Sequence, residues 1–478
     1  MKVLLISTYE LGRQPFGLAS PAAWLRRAGF SVRCLDLSRQ EFRDDWVRDA
    51  DFIAFYVPMH TATRLAVMLL EPVRRLNPRA RICFFGLYAP MNEEYLRSLG
   101  VHSILGGEFE EQLVAQASAC ASLQGQRFNA EDTDSTEDAE RKRHTVIHDP
   151  GNGDAPHVIS LDRQRFLLPD RCGLPPLKDY AHLHLPDGRH RVAGYTEASR
   201  GCKHVCRHCP VVPVYRGTFR IVDSDVVHDD IRQQVAAGAE HITFGDPDFF
   251  NGPRHAEQIV RALHAEFPAL SYDVTIKVEQ LLRHASLLPV LRQTGCAFVT
   301  TAAESVDDRV LARLAKGHTR ADFLAVLGRC REIGLPLQPT FVPFTPWTTL
   351  KGYCDLLRVL AEEGLVPAVP PIQLAIRLLI PAGSLLLELG DVRALAGPFD
   401  PAALVHPWCH PDPRVDALAE AVQDIVERGE KLGRSREKIF ERIWQAAHSA
   451  AGEDAPDLPQ PTLVARAAIP YLTEPWYC

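Results

Sequence analysis

The sequence alternates strand and helix patterns six times between Arg191 and about Leu379, and this repeat constrains the fold more than any other feature. Short apolar runs predict the strands, and apolar stripes at helical spacing separate them. Six such βα units predict a partial parallel barrel, in which chemistry belongs at the carboxyl ends of the strands. The predicted strands lie near residues 192–197, 240–245, 271–276, 297–302, 336–341 and 371–378.

Three cysteines follow the first predicted strand in the spacing C-x3-C-x2-C. Cys202, Cys206 and Cys209 bring three thiolates into one short loop, and soft thiolates suit zinc or an iron–sulfur centre far better than hard cations. A [4Fe–4S] cluster normally takes four cysteines, so three of them leave one iron free to bind something that reacts. A closed tetrahedral zinc site that adds His204 or His208 is the alternative.

The run around these cysteines resembles the cluster motif of radical S-adenosylmethionine (SAM) enzymes. Ser-Arg-Gly at 199–201 fits the residues before the first cysteine, and His208 fills the usually aromatic place before the third. The resemblance implies a [4Fe–4S] cluster whose fourth iron chelates the amino and carboxylate groups of SAM. An electron from the cluster then cleaves SAM to methionine and a 5′-deoxyadenosyl radical. The family's domain resembles three quarters of a TIM barrel with the cluster loop after its first strand, so motif and predicted fold agree and zinc becomes less favoured.

Residues 244–250, after the second predicted strand, occupy the place of the family's Gly-Gly-Glu segment, which holds the SAM amino group. The resemblance makes Gly245 and Asp246 candidate SAM contacts, because a carboxylate accepts short, strong hydrogen bonds from an ammonium group. Asp248 is equally well explained as a turn residue that caps the next helix. Lys277, after the third strand, is a candidate partner for a carboxylate, with a solvated lysine as the alternative.

Residues 302–305, Ala-Ala-Glu-Ser, match the family's Gly-x-Glu-Ser after the fourth strand, and residues 316–317 match the Lys-Gly that follows it. In the family the glutamate commonly contacts SAM, which makes Glu304 and Ser305 candidates. Ser305 can also cap the following helix. Arg377, on the predicted sixth strand, has the geometry to hold the SAM carboxylate through two nitrogens, with a structural ion pair as the alternative.

Residues 1–120 also alternate strands and helices, which predicts a doubly wound, flavodoxin- or Rossmann-like parallel sheet with ligands at the carboxyl ends of its strands. This third resembles the cobalamin-binding domain of one branch of radical SAM enzymes, through Gly-Glu-x-Glu within residues 106–111. The Asp-x-His-x-x-Gly motif of some B12 enzymes is absent, and residues 85–86 are Phe-Gly where Gly-Gly is usual. Cobalamin binding therefore stays open, with a degenerate domain as the alternative. His60 is better explained as a polar rim residue than as a ligand.

We expect an α/β protein of four segments. Residues 1–120 form the doubly wound domain, and residues 121–165 form an acidic linker. Residues 131–140 have almost no apolar content and cannot bury enough surface to order themselves. Residues 166–395 form the barrel, and residues 396–478 form a mainly helical extension with apolar stripes at helical spacing.

Composition excludes several classes of function. The 478 residues are 46% hydrophobic, and their formal charge of −7 gives no electrostatic footprint for nucleic acid. No apolar run reaches the ~18–20 residues that span a bilayer, and the glycine-rich motifs of dinucleotide-binding and P-loop proteins are absent. The 12 cysteines are scattered and no signal peptide is recognisable, as in a reducing compartment. We therefore expect a cytoplasmic protein without nucleic-acid or membrane partners.

These features predict a radical SAM enzyme that acts on an unknown small molecule or peptide. An external donor such as flavodoxin or ferredoxin would supply the electron. A cobalamin-dependent radical SAM methyltransferase is the first alternative. A non-catalytic iron–sulfur or zinc-binding module is the second.

The whole chain most resembles one subgroup, the radical SAM proteins with a Cys- or selenocysteine-Ala-Glu-Pro tail. The supporting strings lie at residues 197–202, 244–250, 339–347 and 473–478. In that subgroup the tail continues past the position of Cys478, so we expect that a selenocysteine codon has been read as a stop. Sequencing the genomic DNA should find an in-frame UGA followed by codons for Ala-Glu-Pro, and any other codons there would refute the hypothesis.

Overall fold

The computed structural model describes residues 1–131, 158–459 and 471–472. These residues divide into two compact units. Unit 1 contains residues 1–10 and 15–174, and unit 2 contains residues 11–14 and those from 175 onward. The predicted tail motif at 473–478 lies outside the described residues.

The described part of unit 1 is built on one parallel sheet. Its strands are β1 (Lys2–Ser7), β2 (Ser31–Asp36), β3 (Phe52–Tyr56), β4 (Arg81–Phe85), β5 (Ser103–Gly107) and β6 (Ile159–Ser160). They lie in the order β2-β1-β3-β4-β5-β6. Its helices are α1 (Phe16–Arg27), α2 (Asp44–Asp49), α3 (His60–Met68), α4 (Leu70–Leu76), α5 (Tyr88–Met91), α6 (Glu93–Ser98) and α7 (Glu110–Glu131).

Two apolar cores lie on the opposite faces of this sheet. Leu4 and Ile6 of β1 join one core, whereas Val3 and Leu5 join the other. Successive side chains of a strand point to opposite faces, so a strand buried on both sides reads as a continuous apolar run. This arrangement confirms the predicted doubly wound sheet.

Helix α7 continues through residues 121–131, where the acidic linker is predicted to begin. This stretch contains alanine, leucine, glutamine and arginine, which favour helix, and the strongly acidic composition starts only at its end. The chain is described again from residue 158, and β6 then pairs with β5 in the sheet of unit 1. Residues 132–157 lie outside the described part.

Unit 2 contains the curled half-barrel sheet. Its strands are β7 (His182–His184), β8 (His190–Thr196), β9 (Ser199–Gly201), β10 (Phe219–Ile221), β11 (His241–Phe244), β12 (Ser271–Thr275), β13 (Cys296–Glu304), β14 (Leu337–Phe341) and β15 (Tyr471–Leu472). The large sheet has the order β14-β13-β12-β11-β8-β7-β15. β8, β11, β12, β13 and β14 run parallel, and β7 joins β8 in the antiparallel sense. The predicted parallel-barrel class is confirmed.

Helices connect and cover these strands. They are α8 (Val211–Tyr215), α9 (Ser224–Ala236), α10 (Pro253–Glu266), α11 (Val278–Arg283), α12 (Leu288–Gln293), α13 (Asp308–Arg313), α14 (Arg320–Glu332), α15 (Leu350–Glu362), α16 (Gly390–Leu395), α17 (Pro413–Lys431) and α18 (Arg436–Ala451). In the extension, α18 packs against α17 and α15. Among the described helices, none combines the length and the apolar character that crossing a bilayer requires.

The prediction of a sixth strand at 371–378 is wrong. The chain there forms a 3-10 helix at Pro371–Leu374, and one isolated parallel bridge between Phe344 and Arg377 stands in its place. Pro370 and Pro371 open this segment, and a proline cannot donate to a strand ladder because it lacks the backbone N–H. The half-barrel therefore has five parallel strands within the described residues.

Candidate functional site

The cysteine loop follows β8, the first parallel strand, as predicted. The loop lies between β9 and α8. The Cys202 N–H donates to the carbonyl of Thr218 at 3.1 Å, and the Cys209 N–H donates to the carbonyl of Cys206 at 3.1 Å. Hydrogen bonds of the protein itself thus fix the loop around all three cysteines.

Gly201 opens the loop in a conformation that only glycine tolerates easily. Its φ is 73°, and a Cβ added to it would lie 2.4 Å from Cδ1 of Tyr215 and 2.6 Å from the carbonyl oxygen of Thr218. Gly217 has a similar φ of 79°, but a Cβ there would meet nothing closer than Cγ1 of Val205 at 3.5 Å. Gly201 is therefore required both for its backbone angle and for the space it leaves.

The three thiols lie close enough to affect one another. Cys206 is buried, and Cys202 and Cys209 are partly buried. Burial raises the pKa of Cys202 to about 12 and the pKa of Cys209 to about 11, and charge repulsion from the neighbouring cysteines adds to both. The free thiols of Cys202 and Cys209 therefore stay protonated at neutral pH, so a bound metal would have to displace their protons.

His204 lies between two carboxylates rather than in a ligand position. Its Nε2 lies 2.9 Å from Oδ2 of Asp248, and its Nδ1 lies 3.7 Å from Oε2 of Glu279. Within the ranges that the structure describes, no three His, Cys, Asp or Glu side chains are already gathered around one point, and this includes the three loop cysteines. By ligand chemistry, three soft thiols suit a [4Fe–4S] cluster with one open iron.

Asp248 and Lys277 flank this side of the loop. Asp248 accepts a hydrogen bond from the Phe250 N–H at 3.0 Å and caps the 3-10 helix at Phe249–Asn251, which confirms the capping interpretation. Lys277 is buried, and its Nζ lies 3.4 Å from Oε2 of Glu279. The predicted alternative of a solvated lysine is therefore wrong, because a neighbouring carboxylate compensates its burial.

Asp246 lies beneath the loop and is almost fully buried. Its two oxygens accept hydrogen bonds from the Ala198 N–H at 2.9 Å and from Oγ of Ser199 at 2.5 Å. Burial raises its pKa to about 7 despite these bonds. Gly245 is equally confined, since a Cβ there would lie 1.8 Å from the hydroxyl oxygen of Tyr195. Through these two hydrogen bonds, Asp246 connects the end of β11 to the start of β9.

Glu304, at the end of β13, contacts the second half of the cysteine loop and has an unusual backbone conformation. Its φ of 64° lies in the left-handed region, next to a register shift in the pairing of β13 with β14. One carboxylate oxygen lies 3.1 Å from Nε2 of His208 and 3.4 Å from Nζ of Lys316. Burial alone would raise the pKa of Glu304, but Lys316 and His208 outweigh it and lower the pKa to about 2. The carboxylate is therefore ionised.

Ser305 does not cap the following helix, so that alternative is wrong. Its Oγ accepts a hydrogen bond from the Asp307 N–H at 3.0 Å, and Asp307 itself is the N-cap of α13 through the Arg309 N–H. The helix begins at Asp308, and Asp307, two residues after Ser305, takes the capping position there.

Arg377 has partners within the extension. Its Nη1 lies 2.7 Å from Oδ1 of Asp416, its Nη2 donates to the carbonyl of Trp408 at 2.7 Å, and its guanidinium carbon stands 3.7 Å above the Trp408 ring. These contacts match the predicted alternative of a structural ion pair.

Two buried polar side chains near these strand ends were not predicted. Gln280 on α11 is fully buried, and neither end of its amide has a hydrogen-bond partner in the described structure. His318 is also buried, and neither ring nitrogen makes a well-formed hydrogen bond in the described structure. Burial, with Lys316 and Lys277, lowers its pKa to about 4 against the opposing effect of the Ala303 backbone. Such groups are costly to bury unpaired, which fits a site that holds a polar ligand. Gln280 has a faint sequence signal, since it stands among the apolar residues of its helix.

Residues 196–355 match the family model of the radical SAM superfamily. This stretch begins at the end of β8 and contains the cysteine loop together with Asp246, Lys277 and Glu304. This part of the chain thus matches the radical SAM superfamily, whose enzymes use a [4Fe–4S] cluster and SAM, and the match supports the predicted radical SAM domain.

Two curated proteins are similar to the chain. Hopanoid C-3 methylase of Methylococcus capsulatus is 22% identical over 353 residues, which are 72% of this chain and 64% of the methylase. The tRNA-2-methylthio-N(6)-dimethylallyladenosine synthase of Geobacter sulfurreducens is 27% identical over 150 residues, which are 29% of this chain and 32% of the synthase. The chain spans less than two thirds of the length of either relative.

Two solved structures share the fold. The cobalamin-dependent SAM radical enzyme OxsB, with aqua-cobalamin bound, has a TM-score of 0.65 at 14% identity, over 94% of this chain and 71% of that one. The radical SAM methyltransferase TsrM from Kitasatospora setae, with tryptophan substrate and a SAM analogue bound, has a TM-score of 0.54 at 17% identity, over 75% and 70%. These likenesses concern the fold alone.

Replacing Gly201 by alanine should destabilise the protein more than replacing Gly217. Both changes put a side chain at positive φ, which costs roughly 1–2 kcal/mol, but only Gly201→Ala also forces a clash worth about 1–3 kcal/mol more. Urea unfolding of the two variants measures the difference, and the iron content after anaerobic purification should fall only in Gly201→Ala. Equal losses of stability would contradict the steric argument.

Removing the charge of Glu304 should leave Lys316 buried without its partner. We expect Glu304→Gln to lower the free energy of unfolding by about 3–5 kcal/mol. The double variant Glu304→Gln/Lys316→Met should recover much of this loss, because it removes both charges. Urea unfolding of the two single variants and the double variant gives the coupling energy. A double variant no more stable than Glu304→Gln alone would show that the pairing is not the cause.

Proposed function

We propose that the chain is a radical SAM enzyme that holds a [4Fe–4S] cluster through Cys202, Cys206 and Cys209. The observation that supports this most directly is the set of three interacting thiols on one loop at the carboxyl end of β8, inside the segment that matches the superfamily. When bound, the cluster supplies the electron that cleaves SAM to methionine and a 5′-deoxyadenosyl radical. The protein holds and orients the reactants and excludes water.

The charges around the loop suit the amino-acid end of SAM, which carries an ammonium and a carboxylate. Glu304 is ionised at neutral pH and can attract the ammonium, while Lys277 can pair with the carboxylate. We retain Ser305 and Gly245 as residues that shape this edge. His208 and Lys316 contact the same single oxygen of Glu304. In contrast, both oxygens of Asp246 and both terminal nitrogens of Arg377 bond within the protein, so we propose that these two residues position the loop and the extension instead.

The reaction also needs an electron donor and a substrate. We propose that a flavodoxin or ferredoxin supplies the electron in the cytoplasm and that the substrate is a small molecule or a peptide. We further propose that the chain belongs to the subgroup with the Cys- or selenocysteine-Ala-Glu-Pro tail, on the strings at 197–202, 244–250 and 339–347.

Methyl transfer is the second candidate function. It is favoured by the similarity to hopanoid C-3 methylase and by the likeness to cobalamin-dependent radical enzymes over both units. The two candidates differ in their products, because methyl transfer from SAM releases S-adenosylhomocysteine. Mass spectrometry of reaction mixtures that contain a cell extract from the source organism separates them.

Anaerobically purified protein should contain iron and sulfide, and under dithionite it should convert SAM to 5′-deoxyadenosine and methionine. Cys206→Ala should lose both the cluster absorbance and the conversion, since it removes one of the three thiolates. Cys409→Ala is the matched control, because Cys409 is an exposed cysteine outside the loop and should leave both unchanged. Zinc in place of iron in the purified protein would refute the proposed function.

A further inference from the structure

The strand order of unit 1 places its ligand crevice between β1 and β3. β2 lies on one side of β1 and β3 on the other, so the chain changes direction across the sheet at this pair. In open α/β sheets, ligands bind outside the carboxyl ends of the strands at such a point. A cobalamin, with its wide flat ring and attached nucleotide, would need open space there.

The partly buried side chain of Tyr56, the last residue of β3, lies beside this point. A Cβ added to Gly17 of α1 would lie 2.1 Å from Cε1 and from Cζ of the Tyr56 ring. A Cβ added to Gly86, after β4, would lie 3.0 Å from Cε2 of the same ring. The Tyr56 ring thus packs closely against the backbone at Gly17 and at Gly86. The space that a side chain would occupy at these two glycines is taken by the ring.

Further aromatic rings hold Tyr56 in place. Its ring centroid lies 5.3 Å from that of Phe85 and 6.2 Å from that of Phe109, and the two phenylalanines are 5.0 Å apart. Pairs at these distances each add about 0.5–1.5 kcal/mol beyond the area they bury. Turning Tyr56 away would give up these contacts.

Several polar side chains of this part of unit 1 bond to one another or to the backbone. Oγ1 of Thr8 donates to the carbonyl of Ala62 at 2.8 Å, and Oγ of Ser20 donates to Oε1 of Glu110 at 2.7 Å. The amide of Gln164 donates to the other oxygen of Glu110 at 2.8 Å. Oγ of Ser7, at the end of β1, is buried and has no hydrogen-bond partner among the described residues, so the closure of the crevice rests on the Tyr56 ring and not on the polar groups.

We propose that Tyr56 closes the ligand crevice of unit 1, so that the natural chain does not bind cobalamin there. Tyr56 is then the residue that determines specificity at this crevice, and the residues present do not fit the cofactor that the fold relatives carry. This inference does not depend on the proposed radical SAM chemistry, because it concerns unit 1 and not the cysteine loop. It does argue against the second candidate function in its cobalamin-dependent form.

Titration of the full-length chain with hydroxocobalamin tests the proposal. Wild-type protein should retain far less than one cobalamin per chain after desalting, as read from the absorbance of the corrin ring. Tyr56→Ala opens the crevice and should bind at least about tenfold more tightly, equivalent to about 1.4 kcal/mol. Tyr95→Ala is the matched control, since it removes another half-buried tyrosine of the same unit on α6 and should leave binding unchanged. Stoichiometric binding by the wild type, or no gain in Tyr56→Ala, would overturn the proposal.

A second measurement tests the packing without a ligand. Gly17→Ala should lower the urea midpoint of the wild type, because its Cβ meets the Tyr56 ring. In the Tyr56→Ala background the same change should not lower the midpoint, because the space is free and alanine favours helix. An equal shift in both backgrounds would overturn the placement of the ring. Iron content and SAM cleavage, measured in the same variants, should stay at wild-type levels, so that failure of this inference and failure of the proposed function give different results.

Discussion

The ionised carboxylate of Glu304 joins the cysteine loop to the barrel, and the candidate site depends on this contact. It lies at the end of β13 and bonds to His208, which precedes the third cysteine, and to Lys316, which is buried. A glutamate at positive φ costs roughly 1–2 kcal/mol, and backbone strain of this kind persists only where the surroundings over-determine it. The contacts with His208 and Lys316 hold Glu304 in this conformation, and they also keep its carboxylate charged beside the cysteine loop.

The two sides of the loop differ in the way their acidic groups are used. Asp246 is buried under the loop, where burial raises its pKa to about 7 and both its oxygens accept hydrogen bonds from the protein. Glu304 keeps its charge because two cationic groups lie beside it. Residue type alone does not separate these roles. The surrounding charges and hydrogen-bond donors do, and they come from distant parts of the chain.

This distinction explains which features were predictable. The strands of the barrel and the position of the cysteine loop follow from local periodicity and from a spacing within eight residues, so the sequence indicates them directly. The capping role of Asp248 is equally local. The prediction of a sixth strand was wrong because it followed the run of apolar residues and gave too little weight to the two prolines that open the segment. The features that could not be predicted depend on residues far apart in sequence, which no local pattern contains. They are the partners of Asp246 and Arg377, the left-handed backbone of Glu304 and the packing of the Tyr56 ring over Gly17.

The hydrogen bonds that anchor the cysteine loop also bear on its behaviour after damage by oxygen. Its first half is tied to the turn after β11, where the Lys203 ammonium donates to the carbonyl of Phe250 at 2.7 Å and the Asn251 amide donates to the carbonyl of Gly201 at 3.0 Å. Its second half is tied to the end of α13 through the Arg207 N–H and the carbonyl of Leu314 at 3.0 Å. In small zinc domains the metal folds the peptide, and its loss unfolds it. Here hydrogen bonds to the barrel shape the loop, so if it holds the proposed cluster, loss of that cluster would leave the loop in place to receive iron and sulfide again.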